Sequence, residues 1–205
     1  MKVIILDGTH NKNGMTMCLI NAFTKGVIAT NPNAEVKQYD LLNGDIQFCK
    51  GCGSCTYDKD PVMGKCSIND GAEEIKKELS DCDVIVFATP IYEYAVSSVM
   101  KRFVERCLPL VTFKFGVVPR AKPFKGKHGV IICTSGAPTP INHLMGITWY
   151  PKFLLNLACR LFRCSRIDSI FAGGMVINNK IKSQWEEKSK NIGMNIAHNY
   201  IKKDN

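Results

Sequence analysis

The sequence predicts an α/β domain built on a doubly wound, five-stranded parallel sheet in the order 2-1-3-4-5. Two observations carry this reading. Strand-like apolar runs alternate with helical patterns five times along the 205 residues, which is the signature of βαβ units. The run Asp83-Val84-Ile85-Val86-Phe87-Ala88-Thr89 is almost continuously apolar, as a strand buried on both faces of a parallel sheet must be. Right-handed crossovers then leave few topologies, and this order puts a ligand crevice between strands 1 and 3.

The first strand spans about Lys2–Leu6 and ends at Asp7. Gly8–Thr16 follows as a polar, glycine-bearing loop. A helix over about Met15–Ala29 carries Cys18, Leu19, Ala22, Phe23 and Val27 at helical spacing. Asn31-Pro32-Asn33 breaks it, and Ala34–Tyr39 alternates as a short second strand. Asp40–Asp70 has no period and is rich in glycine, asparagine and cysteine; a loop this long inside a domain is usually functional. A helix over Gly71–Ser80 leads to the third strand. Val96–Leu108 is the next helix, closed by Pro109. Residues 110–127 read as a basic connection with Pro119 and Pro123. Gly129–Thr134 is the fourth strand and Asn142–Arg163 a long apolar helix with Pro151 as its point of breakage. Arg166–Phe171 is the fifth strand, and Lys180–Lys203 an amphipathic closing helix.

The composition is globular, with 45% hydrophobic and 22% charged residues. One domain over 1–205 is expected, with a cysteine-rich loop at about 41–70. No run approaches the roughly 18 apolar residues of a membrane span. The start lacks the basic-then-apolar pattern of an export signal, so a cytoplasmic protein is expected. The net charge of +9 is spread out, without a compact basic tract interleaved with aromatics, so neither nucleic acid nor membrane is an expected partner. Of ten cysteines, Cys18, Cys82, Cys107, Cys133 and Cys159 fall in apolar segments and read as reduced interior thiols.

The ends of strands 1, 3 and 4 carry Gly8–Thr16, Thr89–Tyr94 and Thr134–Pro138. In the 2-1-3-4-5 order they converge. The first loop opens a helix, whose free N–H groups and positive dipole end suit a phosphate. Pro90, Ile91 and Tyr92 suit the face of a planar ring, and Ser135 with a Gly136 turn lets backbone approach its edge. A phosphate grip beside a planar apolar slot fits FMN.

These residues resemble the flavodoxin-like family of NAD(P)H-dependent FMN reductases and quinone reductases, in particular the iron–sulfur flavoproteins and their cluster-free relatives. The likeness rests on Gly8-Thr9-x-Asn11-Lys12-Asn13-Gly14-x-Thr16, Cys49-x-Gly51-Cys52-x-x-Cys55, Gly64-x-Cys66-x-x-x-Asp70, Thr89-Pro90-Ile91-Tyr92 and Ser97-Ser98-x-x-Lys101-x-Phe103-x-x-Arg106. It implies that Thr9, Asn11, Gly14, Met15 and Thr16 hold the FMN phosphate. Pro90, Ile91 and Tyr92 would line the isoalloxazine, and Ser135 and Gly136 would close its far edge. The chain departs from the family at His10-Asn11, where relatives often carry Pro-Arg, so backbone N–H groups, Thr9 and Thr16 must do more, with His10 or Lys12 as helpers. The family also implies a homodimer or homotetramer.

Cys49-x2-Cys52-x2-Cys55-x10-Cys66 has the look of a metal or cluster site. Four thiolates are what a 4Fe–4S cluster needs. Zinc also takes four cysteines, although usually as two separated C-x2-C pairs. Free thiols, a redox pair or a disulfide are the alternatives, and the cluster-bearing relatives have their fourth cysteine closer to the third. No Ser-His-Asp set or Walker lysine is present. Trp149 and Tyr150 read as core, as a subunit interface or as a cover for a neighbour's flavin. The leading expectation is an FMN oxidoreductase taking hydride from NAD(P)H to a small-molecule electron acceptor. Two others stand beside it: an FMN and 4Fe–4S electron carrier with a ferredoxin-like partner, and a flavin-free interaction module.

Overall fold

The computed structural model describes residues 1–58, 60, 63–114, 118–121 and 126–204. In chain order the elements are β1 (Lys2–Asp7), α1 (Met15–Thr30), β2 (Glu35–Asp40), α2 (Ser54–Tyr57), α3 (Ala72–Asp81), β3 (Val84–Tyr92), β4 (Ala95–Val96), α4 (Ser98–Arg106), β5 (Val111–Lys114), β6 (Val118–Ala121), β7 (Lys127–Ser135), α5 (Ile141–Leu144), α6 (Trp149–Leu161), β8 (Cys164–Gly173) and α7 (Asn179–Asp204). A 3-10 turn, Leu108–Leu110, precedes β5.

The parallel sheet runs β2-β1-β3-β7-β8. Counted along the main sheet alone, that is the expected 2-1-3-4-5. The fold is flavodoxin-like. Successive residues of a strand face opposite sides, and both sides are covered here. Val3 and Ile5 pack with Leu19, Phe23 and Val27 of α1 and Ile196 of α7. Ile4 and Leu6 pack with Ile75 and Leu79 of α3, Phe103 of α4 and Leu155 of α6. This two-sided burial is why the sequences of β1 and β3 show no alternation.

Four features differ from the sequence reading. β3 runs on through Pro90 to Tyr92 and folds back onto β4, pairing Ile91 with Val96 and Tyr92 with Ala95. Ala88 gives its carbonyl to Gly8 on the β1 side at 2.8 Å. Pro90, two residues on, faces the same side beyond the last paired residue of β1, where a missing N–H costs nothing. The connection from 110 to 127 holds an antiparallel hairpin, β5 with β6. The apolar stretch 142–163 is two helices, separated at Gly146, whose φ is +72°. Pro151 does not break α6; it lies in the first turn, where its lost N–H has no helical partner to lose. Finally, Cys18 is half-buried rather than interior, whereas Cys82, Cys107, Cys133 and Cys159 are buried.

α1 and α7 cross through two glycines. A side chain at Gly26 would strike the Lys190 carbonyl oxygen, and one at Gly193 would strike that of Phe23. Between them the buried Ser189 hydroxyl donates to the Leu19 carbonyl at 2.8 Å. Gly193→Ala is therefore expected to push the helices apart and destabilise the fold by about 1–3 kcal/mol, as overpacking does. Urea unfolding checks this; an unchanged midpoint would show that the crossing has slack.

Candidate functional site

Asp7 closes β1 with a side chain that has no exposure. Its carboxylate accepts from the Thr9 N–H at 2.8 Å, from Lys12 Nζ at 2.8 Å and from Gln38 Nε2 at 3.1 Å. This draws the loop after β1 into a tight floor. Asn11 shapes its tip. The Asn11 side-chain oxygen accepts from the Asn13 N–H at 2.9 Å, and its carbonyl accepts from the Gly14 N–H at 3.0 Å. Gly14 is the N-cap of α1, extended and without a capping side chain. The N–H groups of Met15, Thr16 and Met17 thus point out of the first turn, toward the loop, with the positive end of the helix dipole behind them.

Lys12 is engaged by carboxylates. Besides Asp7, its Nζ lies 2.9 Å from Asp40 and donates to the Thr9 carbonyl at 3.1 Å. Burial opposes its charge, but hydrogen bonds to Asp7 and then Asp40 outweigh burial and raise its pKa. Its charge is matched by two carboxylates. His10 is exposed, with its ring centroid 6.2 Å from that of Tyr92.

The three strand ends are bonded to one another. Buried Ser97, the N-cap of α4, donates its hydroxyl to the Gly8 carbonyl at 2.7 Å. Thr89 Oγ1 donates to Ser97 Oγ at 3.1 Å and accepts from the Ser97 N–H at 3.0 Å. A side chain at Gly8 would stand 2.9 Å from Ser97 Oγ and 3.0 Å from Met100 Cβ, so only glycine fits. On the other flank the Thr16 and Thr134 hydroxyls meet at 2.6 Å, with both residues buried. The β1, β3 and β7 loops therefore come together as expected. Within the second loop the expected trio divides. Ile91 is buried in the core, Pro90 is half-buried, and Tyr92 is 52% exposed. Glu93 and Tyr94 make the two-residue hairpin turn with φ of 46° and 63°, a conformation that favours asparagine and glycine. In the third loop Ser135 is half-buried, and Gly136 has nothing within 4 Å of where a Cβ would stand.

The cysteine loop is held at its root by Arg106, which is 1% exposed. Nη1 and Nη2 form a fork on Asp70 at 2.5 and 3.0 Å. The same guanidinium donates to the carbonyls of Gln47 at 2.9 Å and Ile68 at 3.3 Å, and to Cys66 Sγ at 3.6 Å. Burial pushes the Asp70 carboxyl up, but Arg106 and the N–H groups of Gln47 and Ala72 more than reverse this, and its pKa is lowered. Farther out, the Gly51 N–H donates to Cys49 Sγ at 3.4 Å. Cys52 Sγ lies 3.3 Å from both Ser54 Oγ and Ser67 Oγ, and these hydroxyls, Ser54 first, bring its thiol down to about 7. Burial and then Cys66 push the Cys55 thiol up. Cys49 and Cys52 are exposed, Cys66 is half-buried and Cys55 is buried. Among the described residues no three histidine, cysteine, aspartate or glutamate side chains gather where a metal ion could sit.

Trp149 is not core. It is 71% exposed, and Phe153 at 57% and Leu157 at 41% continue the same stripe along α6, with the Trp149 and Phe153 rings stacked at 6.1 Å.

The family model of NADPH-dependent FMN reductases matches residues 1–147. The chain belongs to that family. Within it, the chain is 29% identical over 141 residues to an iron–sulfur flavoprotein of Archaeoglobus fulgidus, covering 68% of this chain and 57% of that one. The chain spans about half the length of this and two further iron–sulfur flavoproteins that it matches. An FMN-dependent NADH:quinone oxidoreductase of Pelagibacter ubique is 25% identical over 203 residues, covering 94% of this chain and all of the other. The structure of an NAD(P)H:quinone oxidoreductase from Methanothermobacter marburgensis superposes with a TM-score of 0.75 at 14% identity, covering 96% of this chain and 98% of that one.

In this member of the FMN reductase family the strand-end loops are also fastened by residues to which the sequence reading gave no individual role: Asp7, and Thr134 within the third loop. Asp7 could have been noticed as a charge ending a buried strand. No local pattern marks the partner of Thr134.

The Arg106–Asp70 pair sets an acid limit. The folded pKa of Asp70 lies below its unfolded value of about 3.9. Its contribution is therefore full above that value and disappears as pH falls through the folded pKa. Asp70→Asn strands a buried arginine and is expected to cost about 3–5 kcal/mol at neutral pH. It is also expected to flatten the acid limb of stability against pH. Urea unfolding across a pH series measures both, and parallel acid limbs in the two proteins would refute the linkage.

Proposed function

We propose that this chain is an FMN-dependent oxidoreductase that uses NAD(P)H to reduce a flavin, quinone or similar small acceptor. The observation that carries the reading is the bonded convergence of three strand-end loops on the uncapped N-terminus of α1. The residues fit FMN. Thr9 and Thr16 offer a phosphate their hydroxyls, and Met15 and Thr16 their N–H groups, while Asn11 and Gly14 shape the loop around the helix end. Pro90 and Tyr92 offer the ring a wall, backed by the buried Ile91, and Ser135 and Gly136 offer an open backbone edge. FMN bound there supplies hydride acceptance and onward electron transfer, while the protein orients it and sets its surroundings. Lys12, already matched by Asp7 and Asp40, leaves the phosphate to the main chain and the threonines. The family match and the names of the quinone-reducing relatives support the same assignment.

The stripe of Trp149, Phe153 and Leu157 is a larger exposed apolar surface than a lone subunit needs, and it supports a homodimer or homotetramer. No described helix is long and apolar enough to cross a membrane, which accords with a cytoplasmic enzyme. The second reading, an electron carrier with a 4Fe–4S cluster on Cys49, Cys52, Cys55 and Cys66 and a ferredoxin-like partner, draws on the iron–sulfur flavoprotein relatives. The spread of those thiols does not fit a cluster as they stand, so no electron step is routed through one.

Titrating the protein with FMN is expected to quench flavin fluorescence with saturation. The complex is expected to bleach on adding NADH or NADPH and recover on adding a quinone. A protein that does not bind FMN would sink the proposal; iron and sulfide found in anaerobic preparations would favour the second reading. Thr16→Val removes a hydroxyl and a buried partner of Thr134. It is expected to weaken FMN binding roughly tenfold, about the worth of one hydrogen bond to a charged group, and to lower the melting temperature only modestly. Unchanged affinity would mean that Thr16 lies outside the phosphate site.

A further inference from the structure

Asn142 sits in the first turn of the short α5 with a side chain that has no exposure. Its carboxamide is used at one end only. Nδ2 donates to Ser135 Oγ at 3.1 Å and reaches the Phe171 carbonyl at 3.5 Å. Oδ1 is buried and has no hydrogen-bond partner among the described residues. The orientation is not arbitrary. The Phe171 carbonyl can only accept. Ser135 gives its own hydroxyl proton to the Ala137 carbonyl at 3.2 Å, so it too must accept from the amide. Turning the amide over would set acceptor against acceptor.

The hydrogen bonds thus run in one direction, from Asn142 to Ser135 to Ala137. The loop they hold is also pressed onto β8. Ser135 pairs with Gly173, and a side chain at Gly173 would overlap the Ala137 carbonyl and stand 2.9 Å from both Asn142 Nδ2 and the Thr139 nitrogen. The opposite side of the loop is open, because nothing approaches Gly136. One face is locked and the other is free. Native proteins seldom keep a buried acceptor unpaired. A leucine would fill the same place without that penalty, so the amide is kept for its Nδ2 end.

We propose that Asn142 is a positioning residue of the FMN site: through Ser135 it fixes the Ser135–Gly136 edge against β8, so that this edge meets the flavin ring in a set place. The proposal rests on the flavin reading above. Asn142 does not touch the ring; it acts through Ser135.

The test compares Asn142→Leu, Ser135→Ala and the double variant with the unaltered protein. Asn142→Leu is expected to keep or raise the melting temperature, because it removes an unpaired acceptor. FMN binding is expected to weaken roughly tenfold in either single variant, with a shift in the flavin midpoint potential. The double variant is expected to be no worse than the single ones. Amide hydrogen exchange at Gly136 and Ala137 is expected to quicken in FMN-free Asn142→Leu. Should that variant misfold, Asn142→Ser, too short to reach Ser135, takes its place. Unchanged affinity and potential overturn the proposal, as do effects of the two substitutions that simply add. A wild-type protein that binds no FMN overturns the flavin reading instead, and the exchange rates at Gly136 and Ala137 then decide the lock alone, unchanged rates refuting it.

Discussion

Asp7 lies level with Ala88 on one side and Asp40 on the other, and Pro90 lies level with Thr134. This register is a hard constraint, since a slip of one residue would turn every buried strand residue to the opposite layer. It makes the chain leave the sheet at the same end, within a few residues, from three neighbouring strands. The loops that follow then have no choice but to meet. Small polar side chains fasten them there: Ser97 to Gly8, Thr89 to Ser97, Thr16 to Thr134. Buried hydroxyls in a low-dielectric setting hold firmly when each has its partner, so these bonds tie the three loops to one another without a ligand.

The charges around that site are arranged with similar economy. The family often carries an arginine after the first loop glycine; this chain has Asn11 there, and its nearby lysine is engaged by two carboxylates. In the proposed phosphate site, anion affinity therefore falls to main-chain N–H groups and hydroxyls. These do not titrate in the physiological range and do not swing on long side chains. The loop needs little reordering, in contrast to a site built on flexible cations.

Much of this was legible in the sequence. Strands buried on both faces declare themselves as apolar runs, and β1, β3 and β7 ended within a few residues of the expected places. The convergence of their loops followed from topology. Other features were hidden for physical reasons. The β5–β6 hairpin lies off the main sheet and is only four residues long on each side. The break in the 142–163 stretch depends on a left-handed Gly146, while the more conspicuous Pro151 sits where a helix tolerates it. An apolar stripe at helical spacing cannot say whether it faces a core or open solvent, and Trp149 was ambiguous for that reason. The links Thr16–Thr134 and Arg106–Asp70 join residues 118 and 36 positions apart, and no local pattern encodes such a distance.

Arg106 grips the long loop only at its two roots, at Gln47 on the outgoing side and at Cys66, Ile68 and Asp70 on the return. Between those roots the Gly64 N–H donates to the Pro109 carbonyl at 2.8 Å, and Arg102 lies over the Phe48 ring. To a protein engineer the loop is a unit with a short list of anchors. A graft that preserves Gln47, Phe48, Gly64, Ile68, Asp70 and the two arginines inherits each of them. Natural descent meets the same constraint: thiols can be gained, lost or respaced between these anchors while the sheet and its strand-end loops stay as they are.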